Sequence, residues 1–381
     1  MEAYFDNAAT TRVAKEVQEI VNKVMDVDYG NPSSRHQKGV TAGQYVKEAQ
    51  EYIARTLKVE PKEIVFTSGG TESNNMALIG GALANQRRGR HIISTRIEHA
   101  SVYNPLLFLQ DFGYEITFLN VNEKGIVDLE ELKQAIRPDT ILVSVMMVNN
   151  EIGAIEPMEE IGKIIKNANP DSLFHVDAIQ AYGKLKISPK RFNIDLLSVS
   201  GHKIHGPKGT GFLYIRDKVK IKPIIHGGGQ QKDMRSGTEN VPGIAGLGAA
   251  AKFMYTNHNE KVAQIQKVKE AFLEGVTKLE GVTDHSGEAP HIASVSFRGI
   301  ERAEVLLHAL EAKGVYCSSG SACSSNHPAI SGTLKAIGLE EDLLNATLRF
   351  SFSAYSTVEE AEYAVQVIAE ELPKLRAFVK R

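Results

Sequence analysis

Three residues in this chain sit where their surroundings sharpen their chemistry: a lysine at a strand-end turn, an acid closing an apolar run, and a cysteine among small residues. Lys203 lies in DLLSVSGHKIHGPKGTG, Asp195 to Gly211. The apolar Leu196, Leu197 and Val199 read as a buried strand that ends at a Ser-Gly-His-Lys turn, and Gly206, Pro207, Gly209 and Gly211 keep the backbone tight beyond it. An amine held at a rigid strand end, beside the Ser200 hydroxyl and the His202 imidazole, suits Schiff-base chemistry, because it must be aimed at one carbonyl and partly desolvated to be nucleophilic. A solvated lysine in a glycine-rich loop is the alternative. Asp177 follows Val176 at the end of a buried strand, so either a partner keeps its charge or its pKa rises. A pyridinium N–H would be such a partner, with the carboxylate holding the ring protonated as an electron sink; a capping carboxylate is the other reading. Cys323 stands in SSGSACSSNH, a long loop of small residues that displays a thiol, whereas structural cysteines are usually buried.

Further groups extend the set. Ser68-Gly69-Gly70-Thr71-Glu72 lies between the strand EIVFT and a helix, where backbone N–H groups converge at the helix's positive end. With the Thr71 hydroxyl this is an anion site suited to a phosphate, or a simple N-cap. It matches neither a Walker A loop nor a GxGxxG fingerprint, so nucleotide binding is not indicated. Arg349, in TLRFSFS, has no carboxylate near it in sequence and would suit the carboxylate of an amino-acid substrate, or a salt bridge. His99 reads as a stacking ring, a ligand or a core histidine; without a second histidine at ligand spacing or a CxxC, a metal is not expected. His175, His205 and His226 read as structural.

The elements that must position these groups alternate. HIIST, EITFL, TILVSVMMV and SLFHVDA are strands, separated by helices at Ser101 to Phe112, Leu129 to Ile136 and Ile161 to Ala168. That alternation implies parallel pairing with right-handed crossovers, and ligands of such sheets sit beyond the carboxyl ends of the strands. The rule gathers Thr71, His99, Asn149, Asn150, Asp177, Gln180, Ser200, His202 and Lys203 in one place. Before them come the short strand of YFDNAAT, helical spacing from Thr11 to Met25, and an amphipathic helix from Lys38 to Leu57. After GFLYIR, the loop IIHGGGQQKDMRSGTEN (Ile224 to Asn240) fits a functional or subunit-contact loop. Val241 to Leu279 gives two long helices, and Ala289 onward gives a compact α+β unit.

Composition narrows the function classes. At 381 residues and 42% hydrophobic, the chain can bury a sizeable core and is expected to form about two domains. Lys+Arg 44 against Asp+Glu 46 gives a net charge of -2 with no basic block, which disfavours direct nucleic-acid binding. No apolar run is long enough to span a bilayer and MEAYFDNAATT has no signal-like region, so a cytoplasmic location is expected. Two cysteines, Cys317 and Cys323, are a poor disulfide framework for this length, which points to thiol chemistry.

FDNAATT, GNPSSRH, FTSGGTESNN, IEHASV, VNNEIG, HVDAIQ, SGHKIHGPKG, HGGGQ, RSGTEN and SSGSAC occur in that order across nearly the whole chain. Together they resemble the NifS/IscS-type cysteine desulfurases, class V members of the fold type I pyridoxal-phosphate enzymes. The resemblance implies an α/β fold: a mainly parallel seven-stranded sheet flanked by helices, with a smaller α+β domain. Residues 15–255 would form the large cofactor-binding domain, and 1–14 with 256–381 a small domain carrying the mobile cysteine loop (about 318–332). It further implies that Lys203 forms the Schiff base with pyridoxal 5'-phosphate, Asp177 pairs with the pyridine nitrogen and His99 stacks on the ring and relays a proton. Asn150 and Gln180 would contact the O3' side of the ring. Gly70, Thr71, Ser200 and His202 would bind the phosphate, with Thr238 reaching over from the second subunit of a homodimer. Arg349 and Asn150 would hold the substrate carboxylate. Cys323 would take the sulfur of L-cysteine as a persulfide, releasing L-alanine, for transfer to an acceptor such as an iron-sulfur scaffold or a tRNA-thiolation enzyme. A selenocysteine lyase, a class V aminotransferase and a non-enzymatic sulfur carrier are the other readings. Gly70 stands where the family usually has alanine, and Cys317 where it usually has no thiol. The tail KLRAFVKR does not resemble the extension that IscS-type members use on their scaffold.

Overall fold

The computed structural model describes residues 1–319 and 331–379. Its centre is a seven-stranded sheet in the spatial order Ile64–Thr67, Gly211–Ile215, Leu196–Ser200, Leu173–Asp177, Thr140–Met146, His91–Thr95, Glu115–Leu119. Gly211–Ile215 runs antiparallel to both neighbours and the other pairings are parallel. The inner strands are buried along their whole length, which is why they read as continuous apolar runs rather than alternating ones. Polar side chains inside them are paired across the sheet. His175 bridges Ser144 at 2.8 Å through Nδ1 and Ser198 at 2.9 Å through Nε2, and burial depresses its pKa to about 3, so it stays neutral. The structural reading of His175 is thereby explained. The edge strand Ile64–Thr67 is closed by an amide: Gln231 Oε1 accepts from Phe66 N at 2.7 Å while its Nε2 donates to Phe66 O at 2.8 Å.

A second, antiparallel sheet orders Ser318–Ser319, Thr347–Ser351, Ile292–Phe297 and Val282–Asp284. Helices His258–Val276, Ala303–Glu311 and Val358–Val379 accompany it. Its core is aromatic, with Phe272 4.5 Å from Phe350 and Phe5 4.9 Å from Phe352 between ring centroids. Phe5 belongs there because Ala3–Tyr4 pairs in parallel with Val315–Tyr316. Helix Val241–Tyr255 ends just before His258–Val276 begins, where the sequence places the passage between the units. Three elements differ from the sequence reading. The helix expected from Ile161 begins at Met158, after Pro157 and with Glu159 and Glu160 in its first turn, where acids favour the helix dipole. The short strands Val282–Asp284 and Ser318–Ser319 carry too few residues to show a period. Among the described residues no helix is long and apolar enough to cross a membrane.

Two acids lie where water does not reach. Glu156 is 2% exposed, its Oε2 accepts from Val127 N at 3.1 Å, and its Oε1 is buried without a partner among the described residues. Glu98 is half-buried as a residue, yet its Oε2 is likewise shut off. Burial pushes each carboxyl from 4.5 to about 8. Between those values the folded chain keeps protons that the unfolded chain has lost, so stability falls as pH rises through the window. Glu156→Gln keeps the acceptor for Val127 and removes the titration. It is expected to flatten the fall in unfolding free energy, read from urea titrations, between about pH 4.5 and 8 by up to roughly 1 kcal/mol per pH unit. An unchanged slope would show that Glu156 ionises normally in the fold.

Candidate active site

Lys203 closes the single turn Gly201–Lys203 that follows strand Leu196–Ser200. The turn is tight enough to exclude a side chain at Gly201, where a Cβ would lie 2.4 Å from Thr210 Oγ1. Lys203 Nζ donates to Ala8 O at 2.6 Å and to Ala9 O at 2.7 Å. Behind it, the buried Lys184 donates from Nζ to the carbonyl of Lys203 at 2.7 Å. Burial, and then the Lys203 charge, lower the Lys184 pKa to about 7.

Asp177 ends the adjacent strand and is 4% exposed. Its Oδ1 accepts from Ile179 N at 3.0 Å and its Oδ2 from Asn74 Nδ2 at 2.9 Å. Burial raises its pKa, opposed by those two hydrogen bonds and by the charges of His99 and Lys203. Asn74 also donates to Ser101 Oγ at 2.9 Å, and Ser101 Oγ lies 2.8 Å from His99 Nδ1. His99 caps helix Ala100–Asp111, its Nδ1 accepting from Ser101 N at 3.1 Å. An acceptor at Nδ1 puts the neutral ring's proton on Nε2. One network therefore runs from Asp177 through Asn74 and Ser101 to His99. Sequence reasoning missed Asn74 and Ser101 as members, although both stand inside quoted motifs.

At the far edge, Gly70 and Thr71 open a helical stretch, Gly70–Asn75 continued by Met76–Gly80 and Gly81–Asn85. Their amides have no acceptor among the described residues. Gly69, at φ +144°, brings the backbone close to Ser200, whose Oγ would lie 3.7 Å from a Cβ at that position. A Cβ at Gly70 would lie 2.2 Å from Ile179 Cδ1, so Ile179 occupies the space an alanine there would need. His202 approaches Thr10 Oγ1 at 3.2 Å through Nδ1, and burial followed by nearby lysine charges lowers its pKa to about 4. Thr71, His99 and Ser101 share the lining of an open cavity of about 510 Å³ with Asn75 and Phe108.

Arg349 is buried, and the partner its sequence neighbourhood lacked is Asp6, 3.0 Å from Nη2; its Nη1 donates to Asn150 O at 2.8 Å. Its Nε is buried and finds no partner among the described residues. Asn149 is scaffold rather than site: its Oδ1 accepts from the amides of Glu151 and Ile152, and its Nδ2 donates to Ile97 O at 3.0 Å. Gln180 donates to Ala8 O at 2.9 Å and lies 3.2 Å from His291 Nε2 through Oε1. Thr238 is exposed and makes no hydrogen bond to this cluster among the described residues, while its loop is tied down by Arg235, 2.8 Å from Glu72. Cys317 packs beside the second core, and burial raises its thiol pKa. Cys323 lies outside the described residues.

These groups fit the cofactor that the sequence resemblance implies. A buried carboxylate suits a pyridinium N–H, open helix-terminal amides suit a phosphate, and an amine at a strand end suits an aldehyde.

The class-V aminotransferase profile matches residues 3–363. The cysteine desulfurase IscS of Dictyoglomus turgidum is 42% identical over 98% of this chain and 95% of its own length. That of Methanosarcina thermophila is 44% identical over 98% and 92%. The mitochondrial cysteine desulfurase of Saccharomyces cerevisiae is 42% identical over 98% of this chain and 75% of its own. A solved NifS-like protein superposes with a TM-score of 0.93 at 38% identity, covering 98% of this chain and 100% of that one. With the site at the carboxyl edge of the sheet and relatives matched end to end, the chain belongs to the class-V aminotransferase family of pyridoxal-phosphate-dependent enzymes, among its IscS/NifS-type cysteine desulfurases.

Proposed function

We propose that this protein is a cysteine desulfurase that takes sulfur from L-cysteine, releases L-alanine and stores the sulfur as a persulfide on Cys323. The observation that carries the reading is the gathering of Lys203, Asp177 and the Gly70–Thr71 amides along one sheet edge, with Arg349 bonded to the Asn150 carbonyl beside them. Bound pyridoxal 5'-phosphate supplies an electron sink for the carbon atoms of the substrate. Asp177 would keep the ring nitrogen protonated, His99 would pack on the ring, and Asn150 and Gln180 would hold its O3' side. Gly70, Thr71, Ser200 and His202 hold the phosphate, joined by Thr238 from a second subunit. Arg349, with Asn150, fixes the substrate carboxylate. Lys203 holds the cofactor between turnovers, and its Nζ removes the proton from the substrate Cα and returns it. His99 relays a proton from Nε2. The Cys323 thiolate then attacks the substrate sulfur: an S–S bond forms, the Cβ–S bond breaks, and the electron pair left on carbon takes up a proton as alanine forms.

A homodimer accords with the apolar face that helix Ala100–Asp111 and the residue after it leave outward, where Tyr103, Phe108 and Phe112 are 41, 46 and 60% exposed beside the cavity at His99. A division into 15–255 and 1–14 with 256–381 accords with one hydrophobic core whose buried residues all fall in 3–5 and 265–372. The persulfide serves an acceptor protein, such as an iron-sulfur scaffold or a tRNA-thiolation enzyme. A cytoplasmic place of action belongs to this reading; the yeast relative is named as mitochondrial.

After a brief pulse of L-cysteine, mass spectrometry of peptides cut between the two cysteines should find one extra sulfur on Cys323. Cys317, held as a thiol by burial, should carry none, and Cys317→Ser should retain most activity. Extra sulfur on Cys317 alone overturns the assignment. Arg349→Lys keeps the charge but loses the planar fork. It is expected to lower kcat/KM for L-cysteine by about 10- to 100-fold, mainly through KM, for the loss of about 1.5–3 kcal/mol of charged hydrogen bonding. An unchanged KM would remove Arg349 from the substrate site.

A further inference from the structure

Lys203 has two duties in the reading above, and they place its amine differently: linked to the cofactor between turnovers, and free while substrate holds the cofactor. The structure contains a place for the free amine. The carbonyls of Ala8 and Ala9, consecutive in the chain, meet at Lys203 Nζ at 2.6 and 2.7 Å. Two acceptors at such distances are what an ammonium calls for, since charge-assisted bonds are short. Both carbonyls project from a turn in which Ala9 N and Thr10 N bond to Asp6 O at 3.0 and 3.3 Å. Carbonyls left open at the end of such a turn carry partial negative charge.

The turn is also fixed from both sides. From the second sheet, Ser351 Oγ accepts from Ala8 N at 2.8 Å and Ser351 O accepts from Asn7 Nδ2 at 2.9 Å. From the lysine's own turn, His202 O accepts from Thr11 N at 2.9 Å, and Thr11 Oγ1 accepts from His205 N at 2.7 Å. Gln180 Nε2 reaches the same Ala8 carbonyl at 2.9 Å. The acceptors are therefore placed beforehand rather than recruited by the lysine.

The surroundings explain why a free amine needs them. Lys184, the imidazoles of His202 and His291, and Asp177 are among the charged or titratable groups coupled to Lys203. Lys184 Nζ is already bound to the Lys203 carbonyl, so any second ammonium beside it is opposed. Asp177, an acid coupled to Lys203, serves the cofactor ring in the functional reading.

We propose that the Ala8 and Ala9 carbonyls form a docking site that receives the Lys203 amine as an ammonium whenever it is not joined to the cofactor. The N-terminal turn is then a positioning element for the lysine that moves the substrate proton. The proposal rests on the reading of Lys203 as the cofactor-linking lysine.

Its test uses the full-length chain freed of cofactor. Acetic anhydride labelling at graded pH, read residue by residue by mass spectrometry, gives the reactivity of each lysine. Lys203 is expected to react at least 10-fold more slowly than exposed lysines such as Lys15 and Lys47 at pH 8. Ser351→Ala and Asn7→Ala, each removing one anchor of the turn, should raise the Lys203 rate several-fold and shift its pH profile, with the exposed Lys15 and Lys47 unchanged. Ser351→Thr, which keeps the hydroxyl, should restore the slow rate. A Lys203 that reacts like an exposed lysine in the unaltered chain overturns the proposal without any variant. So does a rate unaffected by both alanine variants when their thermal unfolding matches the parent. Borohydride fixation of the cofactor on some other lysine would instead refute the functional reading, and is a separate result.

Discussion

Asp177 is a carboxylate enclosed at the end of a buried strand, and the fold has to supply it with counter-charge. Two neutral donors, Asn74 and Ile179 N, hold its oxygens, while the positive charges that act on it belong to His99 and Lys203. Glu98 and Glu156 are enclosed as well, but burial takes each to about 8 and no cation is among the groups acting on either. Of the three acids, Asp177 alone has cationic groups acting on it. Pushing neighbouring acids apart in this way is how a fold assigns roles to identical groups. The charge of Asp177 also acts back on Glu98, helping to keep it protonated.

The lysine and arginine of the site come from different sheets, and the N-terminal turn joins them. Asp6 pairs with Arg349, Asn7 and Ala8 bond to Ser351, and Ala8 and Ala9 accept from Lys203. Four consecutive residues thus touch the strand that presents the arginine and the turn that presents the lysine. Because each contact uses main-chain atoms or short side chains, small residues suffice, which gives DNAA a physical reason.

Much of this was legible in the sequence because it depends on local pattern. Continuous apolar runs marked the inner strands, and a strand ending in Ser-Gly-His-Lys placed Lys203. The polar residues after successive strands were gathered by one topological rule, and the structure puts Thr71, His99, Asp177, Ser200, His202 and Lys203 on that edge. What was hidden depends on contacts distant in sequence. Asp6 and Arg349 are 343 residues apart, and no spacing rule links them. Asn74 and Ser101 looked like ordinary helix residues until the fold set them between Asp177 and His99. Asn149 and Asn150, adjacent and alike in type, differ in their contacts: the Asn149 side chain ties its own turn to Ile97, while the Asn150 carbonyl accepts from Arg349.

The central claim is that Lys203 drives removal of sulfur from L-cysteine. The most direct measurement is of alanine and sulfide released by the purified holoenzyme from L-cysteine with a reductant present, beside Lys203→Ala. The account predicts equal amounts of the two products from the parent chain and no alanine above background from the variant. Alanine at the parent rate from Lys203→Ala, or amino-group transfer to a 2-oxo acid in place of sulfide, would contradict it.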